Sequence, residues 1–393
     1  MERAPSVNGA APLLVQKAVM NVAQIRLTNF RNHESSDILF GSGFNVLLGS
    51  NGQGKTNVLE AISYLSLTKS FYAANDSTTL QIGKEFFEIN GTLLTQEKIE
   101  NRVCVTYQRE TGEKQFSINR SRPETLGSVI GRFPIVILSP ENNAITFGAP
   151  LERRKFLDLI LSQVSRVYFD DLLEYRRALK QRNKILTDLR IHQRGGEDLL
   201  DPWTAELINY GSRIIHRRRQ FVNEFETYVK RAYFDVVQDH EEPRADYVGL
   251  PEIPDDAAGI AVVLEKAFDE RRREEIRRGA TLVGPHRDEL RFSINGNSVQ
   301  KYASQGQHKT LLVALKVAEF FYLKERNEEV PILLLDDVFS ELDEHRSKHI
   351  LEMIGSLGQT FITSTSEAVF QHFITWDGKN RRFYVENGTC RQG

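Results

Sequence analysis

The chain has 393 residues, 40% of them hydrophobic and only 12 of them proline, which supplies enough apolar material for two or three packed domains and excludes a disordered or collagen-like chain. Its 51 basic and 53 acidic residues leave a net charge of -2, so any nucleic-acid surface must come from local segregation of charge. Two cysteines far apart in sequence, Cys104 and Cys390, argue against a disulfide framework, and no apolar run approaches the roughly 20 residues that span a bilayer; a soluble cytoplasmic protein without membrane contact is expected.

Residues 1–19 are rich in Ala and Pro, lack a period and read as a flexible N-terminal tail, with Met20 as the alternative start. A first block, 20–149, opens with short apolar bursts at Ile25–Leu27, Ile38–Phe40 and Phe44–Leu48, which are strands separated by polar turns. After a glycine-rich loop, Val58, Leu59, Ala61, Ile62 and Leu65 recur with helical spacing. Further strands are expected at Phe86–Leu94, Arg102–Tyr107, Lys114–Ile118 and Ile135–Leu138. Over 150–278 the texture becomes helical, with helices at Leu151–Val164, Tyr168–His192, Trp203–Phe234 and Ala257–Arg278, broken by Gly195-Gly196 and by Pro243, Pro251 and Pro254. Strand character returns in 279–393 at Glu289–Ile294, Ser298–Tyr302, Ile332–Leu335 and Thr360–Thr363, with a helix from Gln307 to about Lys324. The two α/β blocks flank one all-helical insert and are expected to complete a single sheet.

Gly49, Ser50, Asn51, Gly52, Gln53, Gly54, Lys55 and Thr56 match the P-loop pattern, between a strand and a helix. In that pattern, backbone amides wrap phosphates, the lysine neutralises them and the hydroxyl holds Mg²⁺, so ATP and Mg²⁺ are the expected ligands, with Asn57 next in the helix. A second carboxylate is required at the end of a buried strand, and Ile332-Leu333-Leu334-Leu335-Asp336-Asp337 supplies it: Asp336 for the metal, Asp337 to polarise the attacking water. Lys55, Asp336 and Asp337 are therefore the expected catalytic residues, and Thr56 and Asp336 the expected metal ligands. Ser304-Gln305-Gly306-Gln307 opens an apolar helix and offers a second anion site at a helix start.

The order P-loop, Ser304–Gln307, Asp336-Asp337 and then Ser340-Glu341-Leu342-Asp343 resembles the signature and D-loop of ABC-type ATPases. That resemblance implies an α/β ABC-type head, a mixed sheet with flanking helices, in two parts (20–149 and 279–393) around the helical lobe. It also implies that Ser304, Gly306 and Gln307 of one subunit cap the ATP on the P-loop of another. Leu27–Asn32, Leu138–Glu141, Arg153–Asp158 and Thr281–Asp288 narrow the match: together they look like the RecF family of bacterial recombination and replication-gap repair proteins. The family implies an ATP-induced homodimer on single- and double-stranded, gapped or junction DNA, a weak DNA-stimulated ATPase, RecR and RecO as partners with RecA loaded downstream, and Arg31 near the nucleotide phosphates. Rival readings are the nucleotide-binding subunit of an ABC transporter, which would carry a Leu-Ser-Gly-Gly-Gln signature, and an SMC-like chromosome ATPase, which would carry sustained heptads.

Basic residues cluster in the first half of the lobe, and Arg176, Arg177, Arg217 and Arg218 are the expected phosphate contacts, though acidic residues are interleaved among them. Gly284–Asp288 reads as a Gly-Pro turn in which Arg287 and Asp288 pair locally.

Overall fold

A computed structural model describes residues 19–192, 196–237, 241–251, 254–341, 344–355 and 357–393, with only the backbone described at 340–341 and 344–346. The expected N-terminal tail, save Val19, and Leu342 and Asp343 of the D-loop lie outside the described residues.

The first block forms β1 (Asn21–Phe30), β2 (His33–Leu39), β3 (Phe44–Leu48), α1 (Lys55–Leu67), β4 (Phe86–Leu94), β5 (Glu100–Gln108), β6 (Lys114–Ile118), β7 (Ile135–Leu138) and the single turn α2 (Ala144–Phe147). The lobe contains α3 (Pro150–Val164), α4 (Arg166–His192), α5 (Asp201–Val237), β8 (Pro243–Val248) and α6 (Ala257–Arg278). The last block adds β9 (Glu289–Ile294), β10 (Asn297–Ser298), α7 (Val299–Tyr302), α8 (Gln305–Arg326), β11 (Ile332–Leu335), α9 (Glu344–Ile354), β12 (Thr360–Ser364), α10 (Ala368–Gln371), β13 (Arg381–Glu386) and β14 (Thr389–Gln392).

Among the described residues three sheets result, not one. An antiparallel sheet runs β2-β1-β4-β5-β6, a mixed one runs β14-β13-β3-β12-β11-β7, and a small one runs β10-β9-β8. The mixed sheet is where the two blocks join: β3 and β7 of the first interleave with β11, β12 and β13 of the last in parallel register. Strands β7 (Ile-Val-Ile-Leu) and β11 (Ile-Leu-Leu-Leu) are unbroken apolar runs because both faces are covered. Val46, Leu48, Val136, Leu138, Leu333 and Leu335 point into one core, while Leu47, Ile135, Ile137, Ile332 and Leu334 point into the other, as the two-residue period of a strand requires.

Helix α1 lies in the second core between the antiparallel and mixed sheets. Val58, Leu59, Ala61, Ile62, Tyr64 and Leu65 are all fully buried, so this helix has almost no polar face. On the other side of the mixed sheet, α8 packs against α5, which at 37 residues is about 55 Å long.

The lobe departs from the all-helical expectation in β8, which pairs with β9 in the stretch that the prolines had marked as a break. Ser298–Tyr302 likewise yields one strand residue and then α7, since Val299 is buried by turning into a helix. A buried polar network binds the lobe together. Asp158 on α3 accepts from Arg218 on α5 (2.6 Å) and Arg176 on α4 (3.2 Å), while Arg218 also donates to Tyr168 Oη (3.0 Å) and the Pro285 carbonyl (2.7 Å). Arg182 and Glu275 form a second buried pair at 2.6 Å. Removing one partner from such a pair costs about 3–5 kcal/mol because the other is left charged and dry.

Candidate nucleotide site

The parallel strands β3, β11, β12 and β7 end side by side, with Leu48 paired to Ser364 and Leu335 to Leu138. Their C-terminal ends bring together the glycine loop, Asp336-Asp337, Thr363-Ser364 and Ser139–Glu141, on the edge where open α/β sheets hold ligands.

The loop is pinned by its carbonyls. Gln53 O accepts from Asn32 Nδ2 (2.9 Å) and Gly388 N (3.0 Å), and Gly54 O meets His33 Nε2 at 3.0 Å. Since C=O and N–H point opposite ways across a trans peptide, these contacts turn the Gly54 and Lys55 amides to the opposite side of the loop. Gly54 sits at φ 110 with Asn32 and His33 so close that an added Cβ would lie 2.5 Å from Asn32 Oδ1; only glycine fits. The Lys55 ammonium is buried and donates to the Gly49 and Ser50 carbonyls at 2.6 and 2.9 Å. Loss of water pushes its pKa down, and the charges of Asp337 and Asp336 pull it partly back.

Thr56 Oγ1 donates to Asp336 Oδ1 at 2.8 Å, and Thr363 Oγ1 donates to the same oxygen at 2.7 Å. Burial raises the Asp336 pKa, the two hydroxyls oppose that rise, and the neighbouring Glu141 and Asp337 charges add to it. A hydroxyl and a carboxylate in contact, with two more carboxylates near, form a hard-oxygen set with surplus negative charge, which suits Mg²⁺ shared with a phosphate. Asp337 takes a left-handed backbone (φ 51), and its amide donates to Thr363 Oγ1 at 2.9 Å. Thr363 was not anticipated; its signal is a polar residue near the end of the apolar run Phe361-Ile362.

Arg31 does not stand free for phosphate. Its guanidinium grips Glu60 on α1 through two 2.8 Å bonds and donates to the Thr78 carbonyl at 3.0 Å. The buried Glu60, four residues beyond Thr56 in an apolar helix, is the signal that sequence reasoning passed over. The signature helix is where expected: Ser304 is the exposed N-cap of α8, in a capping box with Gln307. The Gln307 amide is committed to that box and to Glu241 (2.7 Å), so the structure assigns it to tethering the helix start.

The basic cluster requires a correction. Arg218 is 2% exposed and serves the network of Asp158, so it cannot meet DNA. Arg217 is half-buried and donates to Ser165 Oγ at 2.7 Å, whereas Arg176 and Arg177 are exposed, bonded to Asp158 and Glu174. Arg287 is exposed and Asp288 buried, with Asp288 accepting from Tyr247 Oη instead of serving a local ion pair.

Asp288 and His286 form an opposed pair toward protons. Burial pushes Asp288 up to about 6 and His286 down to about 4, and neutral His286 is satisfied by Tyr175 Oη (2.6 Å) and the Thr281 carbonyl (3.1 Å). Below about pH 6 the folded chain binds a proton at Asp288 that the unfolded chain still lacks, a gain on acidification. Over the same range the unfolded chain binds one at His286 that the folded chain refuses, a loss. The two nearly cancel. Asp288→Asn is expected to leave the histidine's loss unopposed: relative to the wild type, its urea-unfolding free energy should fall from about pH 6 to about 4, by up to about 1.4 kcal/mol per unit. A difference profile that is flat with pH contradicts this.

Residues 21–389 match the family model described as RecF/RecN/SMC N terminal domain. The chain is 43% identical over 364 residues to a DNA replication and repair protein RecF from Chloroherpeton thalassium, covering 90% of this chain and 98% of that one. It is 34% identical to the Bacillus cereus protein of the same description, covering 94% and 98%. Among solved structures, the recombination mediator RecF with an ATP analogue superposes with a TM-score of 0.88 at 32% identity, over 96% of this chain and 99% of that one. An Smc head domain of Pyrococcus furiosus, at 15% identity and TM-score 0.55, shares the fold.

Proposed function

The chain belongs to the RecF/RecN/SMC family and, within it, to the RecF family of DNA replication and repair proteins, and from that premise we propose that it is an ATP-switched clamp on gapped or junction DNA. The observation that carries the reading is the Thr56–Asp336–Thr363 cluster beside the Lys55 loop. Lys55 and the turned amides of Gly54 and Lys55 hold the phosphates, with Ser50, Asn51, Gly52, Gln53 and Asn57 shaping the cradle. Thr56 and Asp336 would hold Mg²⁺, which would supply neutralisation of phosphate charge. Asp337 takes a proton from the attacking water. Arg31, fixed by Glu60, is a cation beside the second turn of α1.

Ser304 and Gly306 are proposed to cap the ATP of a second copy, so that nucleotide closes a homodimer and hydrolysis opens it. The family's pathway makes RecR and RecO its partners and RecA the protein loaded downstream. A transporter subunit or a chromosome-structuring head is disfavoured by the RecF relatives, which match over nearly the whole chain.

A switch needs slow turnover, and an aspartate at 337 is a weak base for water. Steady-state phosphate release is therefore expected well below roughly 10 per second, a median enzyme's rate, and to rise when gapped duplex is added. Release above that rate without DNA would contradict the switch.

A further inference from the structure

Strand β12 ends beside the glycine loop, and its last two residues touch three parts of the site. The Ser364 carbonyl accepts from Gly49 N at 3.3 Å, which ties the strand to the loop. Thr363 Oγ1 donates to Asp336 Oδ1 at 2.7 Å and accepts from the Asp337 amide at 2.9 Å. A hydroxyl has one proton to give and lone pairs with which to receive, so one oxygen holds both bonds at once. Thr363 is 1% exposed, which leaves water little access to that oxygen, and β-branching restricts its χ1.

Asp336 and Asp337 are consecutive, and in an extended chain consecutive side chains point to opposite faces. Both nevertheless line one cleft, with Ser139, Asn143 and Lys309. The left-handed backbone at Asp337 (φ 51) reconciles the two, because the chain leaves the direction of β11 there. A residue with a Cβ seldom adopts that conformation unless its surroundings hold it, and the bond from its amide to Thr363 does so. Thr56 also donates to Asp336 Oδ1, at 2.8 Å, but from α1, whereas Thr363 lies on β12, the parallel neighbour of β11. Thr56 therefore ties the carboxylate to the phosphate loop, and Thr363 ties it to the sheet.

We propose that Thr363 is a positioning residue for ATP hydrolysis: its single hydroxyl fixes both the carboxylate that would hold the metal and the turn that presents Asp337 to the attacking water. This rests on the roles given above to Asp336 and Asp337. Thr363 acts only through these two acids, and it makes them one unit.

The test compares the full-length wild type with Thr363→Val, which keeps the shape and removes the hydroxyl, and with Thr363→Ser, which keeps the hydroxyl. Calorimetric titration with ATP is run in EDTA and in Mg²⁺, and phosphate release is followed at saturating ATP with Mg²⁺. In EDTA the valine variant is expected to bind ATP as the wild type does, since Lys55 and the loop are untouched. With Mg²⁺ it is expected to bind about tenfold more weakly and to lose at least about tenfold in kcat, the scale of a lost hydrogen bond to a charged group. Serine should keep both within about threefold of the wild type, because the donor and acceptor remain. Should valine fail to fold, Thr363→Ala is measured in its place, with the same losses expected. A valine variant equal to the wild type in kcat and in binding with Mg²⁺ overturns the positioning role alone. So does one that weakens ATP equally in EDTA, or a loss that serine shares. A wild type that releases no phosphate and binds ATP no better with Mg²⁺ than in EDTA overturns the roles of Asp336 and Asp337, and this proposal with them.

Discussion

Lys55→Met is expected to abolish useful ATP binding while leaving the fold intact. Methionine keeps the unbranched stem but removes the charge and three donors from the spot where Lys55 Nζ now reaches the Gly49 and Ser50 carbonyls. A charged hydrogen bond contributes about 1.5–3 kcal/mol, so losing two phosphate contacts corresponds to roughly a hundredfold or more in affinity. Lys55 is buried as a residue, so little water is at hand to take the place of its charge. Calorimetric titration with ATP should therefore show at least about a hundredfold weakening, and retention within about tenfold would mean that the phosphates lie elsewhere.

Ser304→Arg should do the reverse: keep ATP binding and lose the dimer. Ser304 is exposed and caps α8, and losing an N-cap costs about 1 kcal/mol. That cannot unfold α8, whose Leu311, Ala314, Leu315 and Ala318 are fully buried. What the substitution does is place a long cationic side chain at the surface that the second copy would approach in the proposed dimer. In sedimentation with saturating ATP, the variant is expected to run as a monomer while binding ATP as the wild type does.

Much of this was written in local patterns. The glycine loop, the apolar strand ending in Asp336-Asp337 and the helix Ala257–Arg278 all declare themselves in contiguous stretches of at most 22 residues. What escaped depends on partners distant in sequence. Strand β13 pairs with β3, more than 330 residues earlier, and buries only Phe383 and Val385, so its own residues carry little signal. Strand β8 begins on a proline and buries Pro243 and Ala245, which look like a turn until β9 is laid beside them. The error on Arg218 was avoidable. Ile214, Ile215, Arg218, Phe221, Val222 and Phe225 share one helical stripe, so the spacing placed that arginine in the core while its neighbours in the triple-arginine run suggested a surface. Arg182 on α4 sits on a similar stripe with Tyr175, Ala178 and Leu186. Composition marks a residue as basic, but periodicity decides which way it faces.

The direct test of capping between subunits is a mixture of the two variants. Lys55→Met chains lack a nucleotide and Ser304→Arg chains lack a cap, so neither should dimerise alone. Together they can build one intact site, from the Lys55 loop of one chain and the Ser304 helix start of the other. With ATP, sedimentation of the equimolar mixture should show a heterodimer absent from either variant alone; a mixture that stays monomeric while the wild type dimerises would contradict the shared site.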